Sequence, residues 1–238
     1  MKIYDFLKRY GIGHDCRLCG QASIRAICAQ CEDDLPRMPA LCCPMCALPT
    51  PAGQTCGRCL ADTPAFDATT AALEYTFPVT RLIQSFKYGG IVGLAPTLGA
   101  WMDAAMPVGD HIGVDIVIPL PLTDARLKDR GYNQALEIAR ALAARRSVRL
   151  DYDAALRTRH APPQAELPWK ERRRNIRGAF AATRRLDGLS VAVVDDVMTT
   201  GATLDEMART LKAAGAARVV NWVLARTLRR PDEGQRRT

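Results

Sequence analysis

Residues Val191 to Leu204, reading VAVVDDVMTTGATL, place an apolar run, two adjacent acids and a hydroxyl-rich turn in a single short stretch. Val191, Val193 and Val194 have the β-branched composition of a parallel strand covered on both faces, and Asp195 and Asp196 fall at its carboxyl end. Gly201 relaxes the turn that follows. A helix opening near Thr203 then aims its N-terminal N–H groups and positive dipole end at the same crevice. Hydroxyls of Thr199, Thr200 and Thr203 can donate to phosphate oxygens, whereas the carboxylates suit ribose hydroxyls or a magnesium ion. The two halves of the stretch want different parts of one ligand, and a phosphorylated sugar has both.

Further candidate ligands for an anion lie elsewhere in the chain. Arg126, Lys128 and Arg130 gather positive charge before Gly131 in a loop that leads into a helix, an arrangement able to hold a diphosphate or simply to form an exposed basic loop. Lys87 ends a helical pattern, where it can reach a pyrophosphate or complement the helix's negative terminus. From Arg157 to Arg177 there are seven Lys or Arg residues against two acids, Glu166 and Glu171. Pro162, Pro163 and Pro168 forbid one continuous helix there, so Arg172, Arg173, Arg174 and Arg177 can cover a polyphosphate or track a nucleic-acid backbone, and Trp169 can stack on a base or pin the segment to the body.

Eight of the nine cysteines form four C-x-x-C pairs: Cys16 and Cys19, Cys28 and Cys31, Cys43 and Cys46, Cys56 and Cys59. Each pair supplies half of a tetrahedral thiolate site, so four pairs imply two structural zinc ions. The first pair most simply joins the second and the third the fourth, although the spacing leaves a cross-braced pairing open. Cys42 is a spare thiol, and His14 a free imidazole close enough to substitute as a ligand. So short and loop-rich a region buries little apolar area, and metal binding must contribute to its folding.

The elements that position these groups alternate between strand and helix. Ala71 to Phe77 reads as a strand leading through Pro78 to a helix whose Val79, Leu82, Ile83 and Phe86 face a core, ended by Gly89 and Gly90. A second helical segment carries Trp101 and Met102 as packing residues. Ile116 to Ile118 form a strand, followed by a proline-rich loop and a long helix capped by Asn133 or Gln134, with Leu136, Ile138, Ala139 and Leu142 on its apolar face. After the acid-rich motif come a helix, a stop at Gly215 and a last strand. The pattern is an α/β fold with an open, mainly parallel sheet, whose ligands sit outside the strands' carboxyl ends.

A formal charge of +8 favours anionic partners. No apolar stretch approaches the ~20 residues of a membrane span, and the N-terminus lacks the apolar centre of a signal peptide, so the chain is expected in the cytoplasm. Composition divides it at residues 1–64, 65–228 and 229–238, the last a disordered tail.

The acid pair and T-T-G-x-T turn resemble the phosphoribosyl pyrophosphate (PRPP) loop of type I phosphoribosyltransferases. With the cysteine knuckles, SFKYGG, PLPLTDARLKDRGYNQ and PPQAELPWKERRRNIRGAF, the chain resembles the ComF family along nearly its whole length, with Tyr132 in place of the usual phenylalanine. The resemblance implies a double zinc ribbon before a type I phosphoribosyltransferase domain, and a role for some members in natural transformation. On it, Asp195, Asp196 and Arg130 are candidate catalytic residues; Thr199, Thr200, Gly201, Thr203, Arg126, Lys128 and Lys87 join the acids in binding magnesium-PRPP. The alternative is a non-catalytic module that binds PRPP together with single-stranded DNA or a DNA-translocation protein.

Overall fold

The computed structural model describes residues 14–106, 113–158 and 176–228. The N-terminal part holds an antiparallel pair, β1 (His14–Asp15) and β2 (Ala22–Ser23), and two single-turn helices, α1 (Ala29–Asp33) and α2 (Gly57–Ala61). The body follows as β3 (Ala68–Glu74), α3 (Val79–Tyr88), α4 (Ala95–Ala104), β4 (Ile116–Pro119), α5 (Asp124–Arg130), α6 (Gln134–Arg146) and β5 (Arg149–Leu150). An antiparallel pair, β6 (Ala155–Arg157) with β7 (Phe180–Ala182), precedes β8 (Ser190–Met198), α7 (Ala202–Ala213) and β9 (Arg218–Arg226).

Five strands make one sheet in the order β3-β9-β8-β4-β5, parallel throughout. At its centre Val193 of β8 lies between Ile118 and Asn221. Successive β8 residues point to opposite faces, so Val191 and Val193 pack with α7 while Ala192 and Val194 pack with α3, α4 and α6. Apolar cover on both faces is what the unbroken valine-rich run requires. On α3, Val79, Leu82, Ile83 and Phe86 are buried at the helical spacing read from the sequence, and Trp101 and Met102 of α4 are buried as well. Gly99 lets α4 approach α6: a Cβ there would lie 2.8 Å from that of Ala141.

The cysteine-rich part straddles one edge of this sheet. Arg37 bridges Leu73 in antiparallel fashion, Met38 N–H donates to the Ala72 carbonyl at 3.2 Å, and the N–H groups of Thr69 and Glu74 donate to the carbonyls of Pro44 and Pro36. These bonds satisfy the free side of β3, which would otherwise be an open template for pairing. On one side of the edge Cys16, Ile27 and Leu35 join the core under α3 and α4; on the other Cys43, Cys46 and Cys59 join the core under α7. Trp101 Nε1–H donates to Glu32 at 2.7 Å and fixes the first half to α4.

Several elements differ locally from the reading of the sequence. The first body strand spans Ala68–Glu74, because pairing with Val220 to Trp222 recruits Ala68, Thr69 and Thr70, and the chain leaves the ladder before Pro78. β8 does not stop at the acids: β9 continues beside it, pairing Val197 with Ala225 and Met198 with Arg226. The loop expected after β4 contains the helix α5, begun by Thr123, whose hydroxyl accepts Arg126 N–H, and ended by Gly131 in the left-handed region at φ 77°. On α6 it is Ala135 that is buried, with Leu136 only half-buried, while Asn133 provides the cap.

Candidate functional site

Asp195 and Asp196 stand near the carboxyl end of β8, where an open parallel sheet presents its crevice. Asp195 Oδ1 accepts the Asp196 N–H at 2.8 Å, and Lys87, from the last turn of α3, places its ammonium 2.7 Å from Asp196 Oδ2. Burial and the charge of Asp196 raise Asp195 to about 8, with Lys87 opposing them. For Lys87, burial lowers the pKa but the attraction of Asp196 outweighs it, and the net shift is upward. The pair therefore holds one carboxylate charge against a lysine and disfavours a second, which ribose hydroxyls or a divalent cation would relieve.

Arg130 also repels Lys87. Its guanidinium lies 5.2 Å from the centre of the Tyr88 ring and donates to Gln134 at 2.8 Å and to the Tyr88 hydroxyl at 3.3 Å. The turn that carries it is fixed to its surroundings: Tyr132 donates to the Phe86 carbonyl and Asn133 to that of Leu120. Arg126 is half-buried and Lys128 exposed on α5. Arg157, at the end of β6, has its pKa lowered by burial and by Arg126 and supported by Asp195, which puts all three in one electrostatic neighbourhood. Its guanidinium covers the Phe180 ring at 5.4 Å. Sequence reasoning does not single out Arg157 as a ligand; only its position at the start of a basic segment marks it. Of that segment, Trp169, Arg172, Arg173 and Arg174 lie outside the described residues, and Arg177 is exposed.

The turn after β8 has the form the residues demand. Gly201 sits in the left-handed region at φ 87° and is the N-cap of α7, where it offers no side chain. Thr200 Oγ1 accepts the Ala202 N–H at 3.4 Å, Thr199 is exposed, and Thr203 lies half-buried in the first turn of the helix. Under the turn is a residue the motif does not include. Arg226 closes β9 and is 1% exposed, with its guanidinium against the carbonyls of Met198 and Thr199. A charged residue ending the apolar run VVNWVLA is the available signal.

Two cysteine clusters complete the inventory. Sγ atoms of Cys16, Cys19, Cys28 and Cys31, and of Cys43, Cys46, Cys56 and Cys59, lie within 4.8 Å of one another in each group, which selects the sequential pairing. The clusters repeat each other in detail. Cys28 N–H donates to Cys16 Sγ, and Cys56 N–H to Cys43 Sγ, both at 3.3 Å. Gly20 and Ala47 occupy equivalent left-handed positions at φ 72° and 55°. Burial opposes ionisation of Cys16 and Cys43, but these amides and those inside each knuckle outweigh it and bring the thiols to about 6 and about 7. Both clusters can hold metal ions. Cys42 stands apart, donating to the Pro39 carbonyl.

An open parallel sheet with an acid pair, a left-handed glycine turn and a helix at its carboxyl edge defines a phosphoribosyltransferase-type α/β protein, here preceded by two four-cysteine ribbons. A phosphoribosyl transferase domain model matches residues 127–236. "DNA utilization protein YhgH" of Salmonella typhi is 32% identical over 90% of this chain and 96% of its own length. "Competence protein F" of Haemophilus influenzae is 32% identical over 73% and 79% of the two chains. Among solved structures, a glutamine PRPP amidotransferase from B. subtilis complexed with ADP and GMP superposes with a TM-score of 0.41 at 17% identity, over 59% of this chain and 30% of that one. The chain belongs to the ComF family. No helix among the described residues is long and apolar enough to cross a membrane.

Proposed function

We propose that this protein binds magnesium-PRPP in the crevice at the end of β8 and transfers the phosphoribosyl group to an acceptor. The observation that carries the reading is that Asp196, ion-paired to Lys87 of α3, and the Gly201 turn belong to one strand-turn-helix unit. Asp195 and Asp196 accept hydrogen bonds from the ribose hydroxyls; the hydroxyls of Thr199, Thr200 and Thr203, with the N-terminal amides of α7, hold the 5-phosphate. Arg126, Lys128 and Arg130 take the pyrophosphate, and Arg157 adds positive charge beside them. As the C1–O bond breaks, these cations stabilise the leaving charge, and the acceptor's electron pair forms the new bond at C1. The hard oxygen donors of the acid pair suit magnesium, which supplies further neutralisation of the diphosphate.

In this reading the two four-cysteine clusters hold zinc, about two ions per chain by ligand count. Names of the relatives, which refer to DNA utilization and to competence, support a place in DNA uptake, with the basic segment through Arg172, Arg173 and Arg174 meeting single-stranded DNA or a translocation partner. Calorimetry of magnesium-PRPP tests the pocket: the wild type binds, and Asp195→Ala binds at least about tenfold more weakly. Release of pyrophosphate with an acceptor, abolished in Asp196→Asn, establishes turnover, and binding without release leaves the protein a sensor. For DNA, triple replacement of Arg172, Arg173 and Arg174 by alanine lowers affinity and flattens its salt dependence; unchanged values remove that role.

A further inference from the structure

We infer that Arg226 is a positioning residue that ties the backbone of the phosphate-binding turn to the second four-cysteine cluster, so that metal in that cluster governs the turn's readiness for a 5-phosphate. The inference rests on the phosphoribosyl reading of the pocket. Arg226 Nε donates to the Cys46 carbonyl at 2.8 Å, inside the second cluster's knuckle. Nη1 donates to the Met198 and Thr227 carbonyls at 2.9 Å and to that of Thr199. One planar group therefore bridges the metal knuckle and the two residues that lead into Thr200 and Gly201, with a rigidity that a flexible ammonium lacks.

Charge and packing follow the same route. Arg226 is 1% exposed, and its guanidinium is buried beside the Cys46 knuckle. Four thiolates around a divalent ion leave such a centre negatively charged, which is a counter-charge suited to a buried guanidinium. Cys43, Cys46, Cys59, Phe66, Met198 and Ala202 share one core, and a Cβ on Gly201 would meet Met198 Cε at 2.5 Å and Phe66 Cζ at 3.9 Å. Beyond the cluster, Ala65 N–H donates to Asp205 Oδ1 at 2.6 Å and joins the ribbon's exit to α7. The first cluster belongs to the opposite core. The coupling is therefore specific to the second centre.

The test separates the two ends of the ligand. Ribose 5-phosphate and pyrophosphate, each with magnesium, are titrated into the full chain while bound metal is counted and amide exchange of residues 197–203 is followed. Arg226→Lys keeps the charge but loses the bridge; it should weaken ribose 5-phosphate by about tenfold, leave pyrophosphate within about twofold, keep both metals and speed exchange of the turn. Cys59→Ala should do the same to ribose 5-phosphate, and Cys31→Ala should not. Unchanged ribose 5-phosphate affinity and exchange in Arg226→Lys overturn the inference, as does an equal loss from both cysteine variants. Should a cysteine variant fail to fold, Arg226→Lys decides. If the wild type binds neither probe, the phosphoribosyl reading fails, and exchange in Arg226→Lys still decides whether the bridge orders the turn.

Discussion

Asp195 is a carboxyl group whose surroundings work against its charge. Its folded pKa, about 8, lies above the ~3.9 of an unfolded aspartate. Between those values the folded state binds the proton and the unfolded state does not, so stability falls as pH rises through that window. In the absence of ligand, Asp195→Asn should raise the melting temperature, and should raise it more at pH 8.5 than at pH 5, read by calorimetry. A change of the same size at both values would show that the carboxyl's charge is not the cause. Lys87 has the converse role. Its removal in Lys87→Met strands Asp196 in a largely buried position and should cost about 3 kcal/mol in denaturant unfolding at neutral pH. The order of acids, threonines and glycine was legible because each group chemically suits one part of a ligand, whereas the partners of Lys87 and Arg157 were not: both are distant in sequence from Asp195 and Asp196.

Two glycines separate what an element does for the site from what it does for the fold. Gly201 turns the chain in the left-handed region directly before α7, and a Cβ there would crowd Met198, so Gly201→Ala should cost about 2–4 kcal/mol of stability and weaken ribose 5-phosphate by about tenfold. Gly99 permits close approach of α4 and α6 on the face that packs under α3; Gly99→Ala should cost about 1–3 kcal/mol and leave ligand affinity unchanged. Chemical denaturation and calorimetry on both variants check the contrast, and weakened binding in Gly99→Ala would contradict it. The apolar face of α3 was legible from its spacing because a helix shows its burial in its own period. The true end of β8 and the helix α5 were not: β8 continues because β9 runs beside it, and the prolines Pro119 and Pro121 masked the capped turn that follows.

At the scale of the molecule the ribbons are part of both cores, since the two clusters lie on opposite sides of the sheet edge that residues 36–44 cover. Stripping both metals with a strong chelator should therefore cost on the order of 10 kcal/mol and melt the body together with the ribbons, seen as one loss of far-ultraviolet dichroism and tryptophan signal. A body that keeps its melting temperature after chelation would show the ribbons to be an independent appendage. The sequence by itself determined the class of fold, the four cysteine pairs and the threonine-glycine turn after the acid pair, because strand and helix periods, knuckle spacing and turn chemistry are local properties of the chain. Only the tertiary structure decided that the cysteine pairs close sequentially, that the two ribbons repeat one another although Ala47 replaces a glycine, and that Arg226 lies between the second cluster and the turn. Those features depend on contacts between segments far apart in sequence, and such contacts leave no periodicity to read.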